Sequence, residues 1–188
     1  MHKAEVLSAP RTHVGTREIL LCLLFAGLVA VGSQIRIPLP GTPVPLTMQV
    51  FFVLLAGATL APAAAASSMG LFVLAGLAGA PVYAGGGSGL VHLMGATGGY
   101  LLGYIAAAPA VAWMLSGRRG SFPRVALAMA GGVAVIHVSG AAWFSLFLGG
   151  DVLAAVRLGV VPFLPGDVLK IAAAAATVTA GAAIASRR

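Results

Sequence analysis

Asp167 and Lys170 lie in an otherwise apolar stretch near the C-terminus, FLPGDVLK at residues 163–170. Ionisable side chains within a membrane-spanning helix are costly, and they usually mark a functional site. The i, i+3 spacing places this carboxylate and this ammonium on one helix face. The plainer alternative is an internal ion pair at the helix start, where an aspartate also suits the helix dipole. As a site, the pair would suit a ligand that has both N–H donors and an anionic tail.

Thr47 and Gln49 follow a proline-rich segment at the predicted start of the second helix. They either contribute polar groups to a site, or Thr47 caps the helix while Gln49 faces solvent. The sequence leaves both interpretations open. Tyr100 and Trp143 could stack on a flat ligand ring, although aromatic side chains near a membrane interface usually have no functional role.

A serine hydrolase is the alternative from a different functional class. Ser88 lies in GGSG at residues 86–89, and His92 and His137 are candidate bases. A nucleophilic serine needs a base within hydrogen-bond reach. His137 falls near the middle of a predicted helix and Ser88 at an outer helix end, so this pair is too far apart unless the loop dips inward. His92 has no orienting carboxylate nearby, and labelling of Ser88 by a fluorophosphonate would be needed to support the hydrolase.

The sequence also excludes a P-loop ATPase and any site that needs several cysteines. No G-x-x-x-x-G-K-[ST] sequence occurs, so any coupling to ATP must come from a partner protein. Cys22 is the single cysteine, which excludes an intrachain disulfide and a metal site made of several thiolates.

The candidate residues must be positioned by helices that cross a membrane. Of the 188 residues, 60% are hydrophobic and 8% charged, and the mean hydropathy is +1.03. Residues 37–117 contain no Lys, Arg, Asp or Glu, and a spanning helix needs about 20 apolar residues. We therefore predict an all-α integral membrane protein with six transmembrane helices, at residues 16–34, 47–60, 62–77, 89–115, 123–148 and 162–185. The first helix also resembles a secretory signal, but we expect it to be retained.

The positive charges predict the orientation, because Lys and Arg collect on the cytoplasmic side. With cytoplasmic N- and C-termini, eight cations are cytoplasmic, and only Arg36, Arg157 and Lys170 belong to the outer side. We predict a flexible cytoplasmic N-terminus at residues 1–15 and a single membrane domain at 16–188, in the bacterial inner membrane. Segments 37–46, 79–90 and 149–170 then meet around an outward-facing site. The basic residues sit at helix ends rather than on one hydrated face, which argues against nucleic-acid binding.

Four blocks of the chain resemble a known family. They are PVPLTMQVFFVLLAGATLAP at residues 43–62, GLAGAPVYAGGGSGL at 76–90, GATGGYLLGY at 95–104 and FLPGDVLK at 163–170. In this order they resemble the biotin-specific substrate-binding (S) components of energy-coupling-factor transporters, the BioY family. One departure is Ala96, where relatives commonly have proline.

The resemblance implies a non-enzymatic subunit that binds biotin with high affinity and needs no cofactor. Its implied partners are a transmembrane coupling protein and two cytoplasmic ATPase subunits. Biotin has a ureido ring with two N–H donors and one carbonyl, a thiophane ring, and a carboxylate tail. The resemblance implies that Asp167 accepts from the ureido N–H groups and that Lys170 donates to a biotin oxygen. A stand-alone oligomer is an alternative mode of transport, and dethiobiotin is an alternative ligand.

Further residues receive roles from the patterns and the resemblance together. The glycine loop, residues 85–89, is expected to close over the ligand, and residues 97–100 are expected to shape the pocket wall. Ala26 and Ala30 match a small-residue motif that faces the coupling protein. The cation that meets the biotin carboxylate stays open among Arg36, Arg157 and Lys170. The predicted binding residues, besides Asp167 and Lys170, are Thr47, Gln49, Gly85, Gly86, Gly87, Thr97, Tyr100 and Trp143.

Overall fold

The computed structural model describes residues 15–116 and 118–187. Eight α-helices lie within them: α1 (Thr16–Gln34), α2 (Gln49–Thr59), α3 (Pro62–Leu77), α4 (Gly89–Leu93), α5 (Gly98–Leu115), α6 (Phe122–Phe147), α7 (Val152–Gly159) and α8 (Leu164–Ala185). Two short strands, β1 (Arg36–Ile37) and β2 (Leu46–Thr47), form an antiparallel pair between α1 and α2. The predicted flexible N-terminus at residues 1–15 lies outside the described residues, except for Gly15.

The outer faces of the long helices are apolar. By length and composition, four segments of residues 15–116 and 118–187 can cross a membrane: Thr16–Gln34, Gly98–Leu115, Phe122–Phe147 and the combined segment Val152–Ala185. Helices α2 and α3 are apolar but shorter. Trp113, Leu127, Val138 and Leu169 are each at least 70% exposed. Such faces are costly in water and favourable against acyl chains, as expected for a membrane protein.

Helix α5 lies at the centre of the fold. It packs most extensively against α6, and also against α2 and α3. Small residues bring α5 and α6 together, since a Cβ added at Gly103 would lie 3.0 Å from the Cβ of Ser139. Helix α8 packs against α2 and α6. Side chains of α2, α5, α6 and α8 can therefore meet in one interior.

The prediction of one continuous helix at residues 89–115 is wrong. Helix α4 ends at Leu93 and α5 begins at Gly98, with an irregular connection between them. The indole N–H of Trp143 donates to the Gly95 carbonyl at 3.0 Å and fixes this connection from α6. Within the connection, Gly95 N donates to His92 O and Gly98 N donates to Gly95 O, each across three residues, so the regular α-helical hydrogen-bond pattern is interrupted here.

Other boundaries differ by smaller amounts. Helix α2 begins at Gln49 rather than Thr47, because Leu46–Thr47 pairs with Arg36–Ile37 as a strand. Segment 149–170 contains an additional helix, α7, whose N-terminus is capped by Asp151 through a hydrogen bond from Ala154 N at 2.8 Å. The last helix is preceded by a 3₁₀ turn at Val161–Phe163. The bounds predicted for α1 and α3 are confirmed.

Candidate functional site

Three ionisable side chains form a cluster in the interior. Asp167 Oδ1 accepts a hydrogen bond from Lys170 Nζ at 3.1 Å, and His137 Nε2 lies 2.7 Å from Asp167 Oδ2. Asp167 and Lys170 are 3% and 7% exposed. Because a carboxylate only accepts hydrogen bonds, the Nε2–H of His137 is the donor to it. The ion pair expected at the start of α8 is present, and α6 adds an imidazole to it.

The Nδ1 atom of His137 is buried and has no hydrogen-bond partner among the described residues. In the neutral tautomer that donates through Nε2, Nδ1 carries a lone pair. A buried acceptor without a partner is costly, by roughly 1–3 kcal/mol. This atom can therefore accept a hydrogen bond from a bound molecule.

A second polar group surrounds Gln49 at the start of α2. Gln49 Oε1 accepts from the hydroxyl of Thr47 at 3.1 Å and from the hydroxyl of Tyr104 at 3.5 Å. Gln49 is 3% exposed, and its Nε2 has no partner in the part of the chain that the structure describes. Thr47 does not cap α2, because its hydroxyl binds the Gln49 side chain instead. The amide donor of Gln49 thus remains for a ligand.

Both polar groups line one inner cavity of about 540 Å³, including its opening. The polar lining consists of Thr47, Gln49, His92, Thr97, Tyr100, Tyr104, His137, Asp167 and Lys170. The remaining lining is apolar: Val44, Pro45, Leu46, Val50, Ala84, Leu101, Ile136 and Phe163. A small ligand that has polar edges and an apolar body would match these walls.

The inner cavity continues into a wider vestibule of about 1,130 Å³. Pro45, Ala84, His92 and Thr97 line both spaces. The vestibule is bounded by the β1–β2 hairpin, the glycine loop and α4, and its lining includes Arg36 and Ser88. The two spaces therefore adjoin at these four residues, and the Asp167 cluster belongs to the lining of the inner one.

The glycine loop lies at the vestibule rather than in the inner cavity. Gly85 and Gly86 have φ of +73° and +76°, a conformation that favours glycine. Gly87 O accepts from Tyr83 N at 3.0 Å, and of residues 85–87 only Gly87 lines the vestibule. The Tyr83 ring stacks on His92 with ring centroids 5.1 Å apart. Burial raises the pKa of the Tyr83 phenol and lowers the pKa of His92 below its ordinary value of 6.5.

The two aromatic candidates differ in position. Tyr100 lines the inner cavity, and its hydroxyl donates to Gly159 O at 2.7 Å, which joins α5 to α7. Trp143 lines neither the inner cavity nor the vestibule. Its indole N–H holds Gly95, as described above, and its ring packs against Gly99. The structure therefore gives Trp143 a positioning contact rather than a place in the lining.

A lateral apolar groove of about 920 Å³ lies on the other side of the same cluster. It is formed by α6, α7 and α8, and its lining includes His137 and Asp167 together with aliphatic residues such as Val138, Val160 and Val168. The His137–Asp167 pair thus forms part of the wall between the inner cavity and this groove. Val138 and Val168, which flank the groove, are 70% and 64% exposed.

The hydrolase geometry is not formed. Within residues 15–116 and 118–187, no hydrogen bond joins Ser88 to His92 or His137. His137 is bound to Asp167 in the inner cavity, whereas Ser88 lines the vestibule. The same residues contain no cluster of three or more His, Cys, Asp or Glu side chains that could hold a metal ion.

Ala26 and Ala30 are half-buried on α1 and pack against the core. The exposed face of α1 carries Leu20, Leu23, Leu24 and Val31, and Gly27 lies beside them with open space around its α-carbon. Small residues on this helix therefore pack against the core on one side of α1. On the other side they lie next to exposed apolar side chains.

Sequence reasoning missed His137 and Tyr104 as residues of this site. His137 is an ionisable residue in residues 125–150, a run without Lys, Arg, Asp or Glu. The cost of a polar side chain within a membrane was the signal that could have singled it out. Tyr104 had no such signal, because its contact with Gln49 joins residues that are 55 positions apart.

Comparisons with known proteins agree on one family. A sequence model of the BioY family matches residues 3–187. The probable biotin transporter BioY of Pyrococcus horikoshii is 37% identical over 158 residues, which cover 84% of this chain and 91% of the relative. The biotin transporter BioY of Thermotoga maritima is 34% identical over 159 residues, covering 85% and 92%.

A solved structure shares the fold. It is the crystal structure of the S-component for biotin from an ECF-type ABC transporter, with a TM-score of 0.80 and 23% identity. The match covers 87% of this chain and 89% of that chain. At this identity the likeness concerns the arrangement of helices alone.

Proposed function

The chain belongs to the BioY family, and on this premise we propose that it is the high-affinity biotin-binding subunit of an energy-coupling-factor transporter. The family consists of transport proteins rather than enzymes. Biotin is then the transported substrate, and no cofactor is needed. The observation that carries the proposal is the inner cavity, in which a buried carboxylate, an ammonium, an imidazole and an amide face one space.

The polar groups complement the ureido ring of biotin. Asp167 accepts one bond at each carboxylate oxygen from within the protein, and each oxygen can accept another. Asp167 and the Nδ1 atom of His137 would receive the two ureido N–H groups. Lys170 and the Nε2 atom of Gln49 would donate to the ureido carbonyl. In this arrangement the Nδ1 atom of His137 and the Nε2 atom of Gln49 would each bond to biotin. Neither atom has a hydrogen-bond partner among the described residues.

The apolar walls complement the rest of the molecule. Tyr100, Ile136 and Phe163 line the same cavity and would cover the thiophane ring. Thr97, where the inner cavity meets the vestibule, would contact the start of the valerate chain. The loop at Gly85–Gly87 would close over the vestibule, and Trp143 would act indirectly by holding Gly95.

The proposal includes a topology. We place α1, α2, α3, α5, α6 and α8 as six spans, with both termini in the cytoplasm and the vestibule open to the outside. The bias of Lys and Arg toward one side supports this orientation. The short spans α2 and α3 are joined at the apolar turn Leu60–Ala61, which suits a tight turn at the membrane face. The location would be the bacterial inner membrane.

The energy for uptake would come from partner proteins. The chain has no P-loop sequence, so ATP would be hydrolysed by two cytoplasmic ATPase subunits that act through a transmembrane coupling protein. We propose that Ala26 and Ala30 on α1 contact this coupling protein, because small residues allow close helix approach. Co-purification with wild type, and its loss in an Ala26→Leu plus Ala30→Leu variant, would distinguish this arrangement from a stand-alone oligomer.

The ligand is tested by calorimetry on purified protein that has been freed of endogenous ligand. Biotin should bind tightly to wild type, and binding should be lost in Asp167→Asn and in Lys170→Ala. Asp151→Asn is the matched control, because Asp151 caps α7, lines neither the inner cavity nor the vestibule, and asparagine caps equally well. Absence of biotin binding in wild type would refute the proposed ligand.

A further inference from the structure

Basic and aromatic side chains are exposed where α5 ends and α6 begins. Trp113 in the last turn of α5 is 73% exposed, and Phe122, the first residue of α6, is 45% exposed. Arg118 and Arg124 are also exposed. We call these four residues the α5–α6 surface. None of them lines the inner cavity, the vestibule or the lateral groove, so the proposed biotin site does not account for them.

The α5–α6 surface lies at the other end of α5 from the inner cavity. Tyr100, in the first turn of α5, lines the inner cavity, and the 18 residues of this helix rise about 27 Å. The hydrocarbon core of a bilayer is about 30 Å thick. Helix α5 is long and apolar enough to cross a membrane, so its far end, with the α5–α6 surface, would lie at a membrane interface.

The two arginines of the α5–α6 surface differ from their neighbour Arg119. The Nη2 atom of Arg119 donates to Thr59 O, at the C-terminal end of α2, at 3.2 Å. The backbone of the connection is held by a hydrogen bond from Arg118 N to Leu115 O at 2.8 Å. In the part of the chain that the structure describes, no hydrogen bond or ion pair joins the guanidinium of Arg118 or Arg124 to another residue. Their donors are therefore free for an external anion.

The acidic side chains of the described part lie elsewhere. Asp167 is bound in the inner cavity, and Asp151 caps α7. Glu18 lies in the first turn of α1, a helix that packs against α2 and α3. The positive charge of the α5–α6 surface is thus not neutralised by these three carboxylates, and no ion pair within 4.0 Å includes Glu18 or Asp151 there.

We propose that the α5–α6 surface binds anionic phospholipids, with Arg118 and Arg124 on the phosphates and with Trp113 and Phe122 at the boundary between headgroups and acyl chains. Guanidinium groups bind phosphates through paired hydrogen bonds, and anionic lipids attract basic residues next to a spanning helix. Tryptophan rings collect at this boundary. An acidic protein surface would pair with the arginines but offer no apolar layer to the two exposed rings. The inference does not depend on biotin as the ligand.

The experiment uses brominated lipids, which quench tryptophan fluorescence on contact. The chain has two tryptophans, so every protein carries Trp143→Phe and its emission reports on Trp113. Each protein is reconstituted into phosphatidylcholine vesicles in which the same mole fraction of lipid is brominated phosphatidylglycerol or brominated phosphatidylcholine. The parent protein should be quenched at least about twofold more by the anionic lipid, and Arg118→Gln plus Arg124→Gln should remove this preference.

Two controls accompany these variants. Arg36→Gln plus Arg157→Gln removes the same number of charges outside the α5–α6 surface and should keep the preference. Salt provides a test on the parent protein that needs no variant to fold: raising it from about 0.1 M to about 1 M shortens the Debye length from about 10 Å to about 3 Å, and the preference should fall with it.

Three results would overturn the proposal. Equal quenching of the parent protein by the two brominated lipids would leave Arg118 and Arg124 to water or to an acidic protein surface. An undiminished preference in Arg118→Gln plus Arg124→Gln, or at about 1 M salt, would show that these arginines do not select the lipid. Loss of the preference in the control as well would assign it to the net charge of the whole protein.

Discussion

His137 on α6 lies with its Nε2 atom 2.7 Å from the Oδ2 atom of Asp167 on α8, at the wall between the inner cavity and the lateral groove. The contact joins two helices and orients the carboxylate that also binds Lys170. A carboxylate with a fixed orientation presents its remaining lone pairs in one direction. The imidazole is therefore expected to act on the ligand both through Asp167 and through its own Nδ1 atom.

Replacement of His137 should weaken biotin binding. His137→Ala removes the donor to Asp167 and opens the wall toward the groove, and we expect binding to weaken by at least about tenfold. His137→Gln, which keeps an N–H donor near the carboxylate, should recover part of this loss. Calorimetry measures both, with Val138→Ala as the control, because Val138 is 70% exposed on the neighbouring position of α6. Equal binding by His137→Ala and wild type would contradict a role for the imidazole.

Single and double replacements of Asp167 and Lys170 should affect stability and biotin binding differently. Removal of one member of a buried ion pair leaves an uncompensated charge, which costs about 3–5 kcal/mol, whereas neutral replacement of both members is often tolerated. We expect Lys170→Met to lower the thermal unfolding temperature in detergent and Asp167→Asn plus Lys170→Met to restore much of it. The double variant should still bind no biotin. If the double variant binds biotin, the pair has only a structural role.

The helices were largely predictable, because membrane helices are dictated by long apolar runs. The bounds of α1 and α3 agree with the prediction, and Pro62 marks the start of α3 in both. The break between α4 and α5 was not predictable, because it depends on a hydrogen bond from Trp143 to Gly95, residues 48 positions apart. Helix α7 had a local signal that was overlooked: Asp151 precedes a segment that carries Arg157 in its last turn, as expected for a short capped helix.

The site was predictable only where its residue types are unusual within a membrane. Charges in an apolar run pointed to Asp167 and Lys170, and the structure brings Thr47, Gln49, Thr97 and Tyr100 to the same cavity. Local sequence does not encode which helices meet, so the contact of His137 with Asp167, 30 positions away, could not be predicted from spacing. For the same reason Trp143 was expected in the lining but lies behind it.

Gln49 should contribute to binding more than to stability. Its Nε2 atom is buried without a partner among the described residues, and such burial costs roughly 1–3 kcal/mol unless a ligand accepts from the amide. Gln49→Leu removes this cost but also removes the acceptor of the Thr47 hydroxyl. We therefore expect unfolding temperatures near that of wild type and biotin binding weakened by about tenfold or more. Thr47→Val is the control for the lost internal bond and should weaken binding less.

The pH dependence of stability should report on His92. Burial lowers the pKa of His92 in the folded protein below its ordinary value of 6.5, so between these two pKa values the unfolded chain binds more protons than the folded one. The free energy of unfolding then rises with pH in this window. As the pH falls from about 6.5 toward the folded pKa, this contribution to stability is lost, and below the folded pKa the loss stays constant. His92→Phe keeps a ring against Tyr83, where the centroids are now 5.1 Å apart, but cannot titrate. Between about pH 7.5 and 5, the thermal unfolding temperature of wild type should fall more than that of His92→Phe. If the unfolding temperatures of the two proteins fall in parallel, protonation of His92 does not affect the loop.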